Sequence, residues 1–268
     1  MNIRNIHPHI SPASQHYSPE EWAVRVDLAA AYRLVHDYGW ADMIYNHLSA
    51  RVPGPEGHFL LNAFGLAYEE ITASSLVTVD LAGNIIHAPD PAYSINLAGY
   101  VIHSAVHEAR HSAGCVIHTH TPAGMAVAAL KCGLLPLCQT AMRFAHIAYH
   151  DYEGVALEAA ERERLVANLG DCDVMILRNH GLLATGRTIP EAFNNMYRLE
   201  RACQVQLMAM ACNTELNMPS EQSVKNANVQ LSVNMAAGYA GRATPPFGIL
   251  EWPALLRRMD RKDPSFRD

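Results

Sequence analysis

The sequence predicts an α/β fold, with helices covering both faces of a mixed or largely antiparallel sheet. Two features carry that reading. Short apolar runs pair as hairpins early in the chain, and strand–helix alternation follows. Half of the 268 residues are apolar and no Pro/Gly/Ser-rich linker divides them, which suits one large core.

The elements follow in order. Residues 1–17 carry two prolines, three histidines and no apolar run, and read as a flexible arm. Ser18-Pro19-Glu20-Glu21 opens a helix: Ser caps, Pro fits the first turn, and a Glu lies three residues after the cap. Trp22, Val26, Ala30 and Leu34 continue at helical spacing until Gly39. Residues 44–52 alternate as a strand, 53–57 turn, and 58–61 return. Residues 76–80 form another strand before a turn at 82–84. Ile95, Ile102, Val106 and Ala109 place a helix over 94–110. The run 115–120 is β-branched and reads as a strand, and Thr121-Pro122 caps a helix to about 131. A short strand over 144–149, a helix over 158–169, strands over 174–177 and 182–185, and a long helix from 190 to 211 complete the domain. Past residue 213 periodicity fades. The expected organisation is an arm over 1–17, a domain over 18–213, and an extension over 214–268 that packs on the domain or on a neighbouring subunit.

Composition removes several classes of function. The net charge is −6, with no block of like charges, so no basic stripe exists for nucleic acid. No run reaches the roughly 18 apolar residues of a membrane helix. The first residues do not resemble a signal peptide. The expectation is a cytoplasmic protein whose six cysteines stay reduced, since none forms a CxxC pair.

The 15 histidines are the anomaly. In His118-Thr119-His120 two imidazoles share one face of a strand, at a spacing that suits one metal ion. Asn179-His180-Gly181, at the end of a second apolar strand, is by itself a capping histidine beside a turn. Joined to the other two it makes three nitrogen ligands, the usual catalytic zinc set. Three nitrogens also accept Mn2+ or Fe2+.

Three segments together resemble the class II aldolase/adducin family: Asn46-His47-Leu48-Ser49-Ala50-Arg51, Val116-Ile117-His118-Thr119-His120-Thr121 and Leu177-Arg178-Asn179-His180-Gly181. Lys131-Cys132-Gly133-Leu134-Leu135-Pro136 and the run from Ala148 to Gly154 are similar to its adducin-type branch. The resemblance spans about residues 20–212. It implies a three-layer α/β/α sandwich with a central, mainly antiparallel sheet, and zinc or a similar cation on His118, His120 and His180. It implies a small-molecule substrate and a homotetramer with interfacial active sites. It implies cleavage or epimerisation of sugar phosphates through a metal-stabilised enediolate, with a tyrosine that reaches the neighbouring subunit's site. Tyr149 matches that tyrosine by separation.

The chain departs from the aldolase pattern. Gly99, preceded by Leu97-Ala98, stands where the family carries its catalytic glutamate and a serine pair. Asn46 and Gly65 match substrate-binding loops, yet Tyr45 and Phe64 replace small or hydroxylated neighbours and narrow the pocket. Arg143 is a further candidate contact for an anionic substrate, and His103 lies one helical turn beyond Gly99. The expected activity is therefore that of a metal-dependent lyase, an aldolase or decarboxylase, on a small carbonyl or carboxylate compound rather than a sugar phosphate. A non-haem iron oxygenase on the same histidines and a non-catalytic adducin-like module are the alternatives. The adducin alternative is weakened by the three intact histidines and by a tail without a lysine cluster.

Overall fold

A computed structural model describes residues 12–154, 159–232 and 245–268. Helix α1, Pro19–Asp37, starts where the capping pattern places it, with Ser18 Oγ accepting a hydrogen bond from the Glu21 amide at 3.1 Å. Strands β1, His47–Arg51, β2, Phe59–Leu61, β3, Val77–Val79, and β4, Ile85–His87, form the early meander. Then come α2, Leu97–Ala109, β5, Cys115–Thr119, α3, Pro122–Ala128, and α4, Gln139–Met142. The remainder is β6, Ala148–His150, α5, Ala159–Leu169, β7, Val174–Leu177, β8, Gly181–Gly186, α6, Ile189–Ala211, α7, Glu221–Ser232, and α8, Trp252–Lys262.

The eight strands make one sheet in the order β4-β3-β2-β1-β5-β8-β7-β6. Every pairing is antiparallel except β6 with β7, so the sheet is mixed and mainly antiparallel. Strand alternation sends Cys115 and Ile117 to a core shared with α1, α3 and α6. Val116 points the other way, with Met175 and Leu183, into a core that includes Ile102 and Val106 of α2 and Leu165 of α5. Helices on both faces give the three-layer α/β/α sandwich. No described helix is long and apolar enough to cross a membrane.

Several elements differ from the sequence expectation. Strand β4 follows the turn at 82–84, where no strand is expected: all three of its residues are exposed, so it carries no burial pattern. The strand expected at 144–149 is shorter and shifted, at Ala148–His150, and the four residues of α4 precede it. Within the arm expected over 1–17, Pro12–His16 make a 3-10 turn. Tyr17 then stacks on Trp22, with ring centroids 5.6 Å apart, and the Arg25 guanidinium lies 4.0 Å above its ring. Residues 1–11 lie outside the described residues. The extension over 214–268 contains two helices that periodicity did not reveal. In it, Trp252 Nε1 donates to Asp27 at 2.9 Å, Arg33 bonds Asp263 at 2.9 Å, and Phe266 is fully buried. These contacts fasten the end of the chain to α1.

Candidate metal centre

Three backbone features bring the histidines together. Strand β5 ends at Thr119, so His118 and His120 project from one face at the sheet's end. The β7–β8 turn carries His180, with Asn179 in the left-handed region at φ 57°. Gly181 then lets the two strand ends approach. A β-carbon there would lie 2.4 Å from Thr119 O and 3.2 Å from the His120 ring.

The three Nε2 atoms converge. His118 Nε2 lies 2.9 Å from His120 Nε2, which lies 3.0 Å from His180 Nε2. His118 Nδ1–H donates to Leu182 O at 2.9 Å, and His120 Nδ1–H donates to the Asp42 carboxylate at 3.1 Å. In the neutral rings those bonds place the hydrogen on Nδ1 and turn each Nε2 lone pair towards the cluster. Burial, then the neighbouring His180 and His120, holds His118 well below the usual imidazole range. Burial, then His120, lowers His180 to about 4. The three Nε2 atoms face one another closely, all within 4.8 Å, an arrangement that suits a cation held between them. A tetrahedral ion at about 2.0–2.1 Å from each nitrogen would set them about 3.3 Å apart, so a shift of a few tenths of an ångström accommodates it. The carboxylate behind His120 supplies the outer-shell partner that orients a ligating imidazole.

The cluster opens into a cavity of about 360 Å³. Asn46 lines it in the left-handed region at φ 75°, 1 % exposed, and its Oδ1 is buried with no hydrogen-bond partner. Its Nδ2 faces Trp40 O at 3.5 Å. Tyr45 also lines the cavity, with its ring 6.2 Å from that of Phe64. Gly99 sits in the first turn of α2, and the His47 imidazole fills the space where a side chain would stand. A β-carbon on Gly99 would lie 1.9 Å from His47 Cδ2 and 2.1 Å from its Nε2. His47 is 6 % exposed, and burial, then His120, lowers it to about 4. Among the described residues no Lys or Arg lines this cavity.

Other expected site residues fall elsewhere. The Tyr149 hydroxyl accepts from the Leu134 amide at 3.0 Å, and the Arg178 guanidinium lies 4.5 Å above its ring, so Tyr149 does not line its own chain's cavity. Tyr152 does, with its ring 6.1 Å from that of His180. Gly65 adopts φ +111° in open space and is not part of the lining. Arg143 lines a separate cavity. His103 is structural: its Nδ1 pairs with Ser49 Oγ at 2.6 Å, inside the core between sheet and α2. The sequence reading missed Asp42, 78 residues from its histidine, and His47, whose place opposite His118 depends on the β1–β5 register.

Fold and site together define an α/β/α protein with a histidine centre suited to a divalent cation. The family model described as Class II Aldolase and Adducin N-terminal domain matches residues 26–207, and the chain belongs to that family. A Pseudomonas aeruginosa protein, named provisionally as a class 2 aldolase, is 50 % identical over 93 % of this chain and 94 % of its own length. Alpha-adducin of Rattus norvegicus is 41 % identical over 91 % of this chain, which spans 34 % of that protein. The solved structure of L-fuculose 1-phosphate aldolase from Glaciozyma antarctica is 27 % identical, with a TM-score of 0.79 over 97 % of this chain and 100 % of its own.

Proposed function

We propose that the chain is a metal-dependent carbon–carbon lyase, an aldolase or decarboxylase, acting on a small carbonyl or carboxylate compound that is not a sugar phosphate. The convergence of the three Nε2 atoms inside a cavity carries this reading. His118, His120 and His180 are the proposed ligands, with zinc the first choice and Mn2+ or Fe2+ compatible with three nitrogens. When bound, a divalent ion there polarises a carbonyl and steadies the negative oxygen that develops as a carbon–carbon bond breaks.

The chain's own groups take the remaining roles. The unpartnered Asn46 Oδ1 accepts a hydrogen bond from a substrate hydroxyl, which orients it. Tyr152, at the mouth of the cavity and 54 % exposed, offers a hydroxyl as proton donor, beside Tyr149, which by the family resemblance would serve the neighbouring subunit's site. His47 sits over Gly99 as a neutral imidazole and closes that wall of the cavity. The lack of lining Lys or Arg, and the Tyr45–Phe64 pair, argue against a phosphate dianion in this cavity. We assign the site to residues 18–213 and read 214–268 as an extension. The exposed side chains Met43, Leu97 and Tyr152 near the mouth support a homo-oligomer, a tetramer by family resemblance, that covers it.

Identity to alpha-adducin favours a second reading, a non-catalytic interaction module. Elemental mass spectrometry of the purified, untagged protein separates the two. About one zinc, manganese or iron per chain is expected for the lyase. A protein that is metal-free and takes up no added metal would leave the interaction module standing.

A further inference from the structure

A second cavity, of about 410 Å³, lies at the other end of the sheet. Arg110, just past α2, Arg143, just past α4, and Arg187, just past β8, all line it. The candidate metal centre sits instead at the start of α2 and of β8. Residues 99 and 110 are separated by roughly 16 Å of helical rise, so the two cavities are distinct.

Arg143 is the informative residue. Its Nη1 donates to Asn194 Oδ1 at 3.3 Å and its Nη2 to Asn195 Oδ1 at 2.9 Å. The Phe247 ring lies under its guanidinium, with the centroid 4.1 Å away. Two of five N–H donors are thus used, both on neutral amides. Among the described residues no carboxylate forms an ion pair with Arg143, whereas Arg110 has Asp173 at 3.3 Å and Arg187 has Glu191 at 3.2 Å. Burial, then the neighbouring Arg198, lowers Arg143 to about 10. Asp173 and Glu251 act on Arg143 from beyond ion-pair distance, so this part-buried cation, held by amides and a ring with donors to spare, is further stabilised by an anion in the cavity. The planar fork also matches the oxygen geometry of a phosphate group.

We propose that this cavity is an anion site, in which Arg143, flanked by Arg110 and Arg187, binds the phosphate group of a small molecule. The site is independent of the lyase reading, because it shares no lining residue with the metal centre. It adds a second ligand, joined to the metal centre through α2 and β8.

The test is isothermal titration of the purified protein, with its native metal, against inorganic phosphate at low ionic strength. Saturable binding with a dissociation constant of about 1 mM or tighter is expected, and rising chloride should weaken it. Arg143→Met should weaken binding by about tenfold or more. Absence of saturable binding overturns the proposal. So does equal binding by wild type and R143M, which would place the phosphate on the metal or elsewhere. If R143M does not fold by circular dichroism, Arg187→Gln takes its place, since that side chain is 66 % exposed. R187Q should weaken phosphate binding about threefold, and an unchanged affinity refutes the site.

Discussion

Replacing Gly99 by Ala tests the steric link between α2 and His47. In an ordinary helix this change adds up to about 1 kcal/mol of stability, because glycine is the poorer helix former. Here the new β-carbon would lie 1.9 Å from His47 Cδ2, 2.1 Å from Nε2 and 2.5 Å from Cγ. Normal contact begins near 3.4 Å, so the imidazole must move by roughly 1.5 Å. It has little room. His47 is 6 % exposed, it is paired in register opposite His118, and its ring stands edge-on to His103 at a centroid distance of 5.9 Å. Overpacking of this kind costs about 1–3 kcal/mol. The clash therefore outweighs the helix gain, and G99A should destabilise by about 1–2 kcal/mol. In a His47→Ala background the obstructing ring is gone, and G99A should be neutral or stabilising by up to about 1 kcal/mol. The two values differ by about 2 kcal/mol, well above the error of a double-mutant cycle. Urea denaturation of all four proteins at one protomer concentration and pH 8, with unchanged slopes, supplies the numbers. An equal cost of G99A in both backgrounds would refute the contact.

Four further outcomes are expected. His118→Ala or His180→Ala should release the metal while leaving the circular dichroism of the fold intact, and full metal occupancy in either variant would show the ligand assignment to be wrong. Asp42→Asn weakens the acceptor that fixes the His120 tautomer, so metal affinity in a chelator competition should fall about 10–100-fold. An unchanged affinity would remove Asp42 from the outer shell. L-fuculose 1-phosphate should bind no tighter than the anion cavity permits; sub-micromolar binding would overturn the account of Tyr45, Phe64 and the missing basic residues. The fourth outcome concerns pH. Burial, then Arg51, lowers His107 from 6.5 to about 3. Between those values the unfolded chain holds a proton that the folded chain does not. Stability is therefore full above pH 6.5 and falls as the solution is acidified towards pH 3, with His107 contributing up to about 1.4 kcal/mol per pH unit. His107→Leu should flatten that acid branch by close to one proton, and an identical slope would contradict it.

The strands and long helices were legible because local chemistry and burial agree in them. The β-branched run around Val116 and Ile117 is a central strand, and the cap at Ser18 starts the helix that the pattern places there. Helix α8 escaped because it is anchored to α1 through contacts made some 225 residues away in the chain. His118 and His120 were legible from strand alternation, since their shared face is a local property. Asp42 was not, because it sits in an irregular turn and matters only where that turn meets the end of β5.

Gly99 shows most clearly how a change at one position can be misread from sequence alone. Along the chain it reads as the loss of a carboxylate, which counts against a sugar-phosphate aldolase. The structure places the His47 imidazole in that volume. The two positions are 52 residues apart and meet only because β1 pairs with β5 and α2 crosses above them. A gap over the glycine would leave that wall open. This one is packed, and the three Nε2 atoms beside it still converge with two tautomers fixed from behind. A cation held among the three Nε2 atoms would turn that close approach into attraction. The glycine and the histidine thus make one packed wall of the cavity beside the three imidazoles.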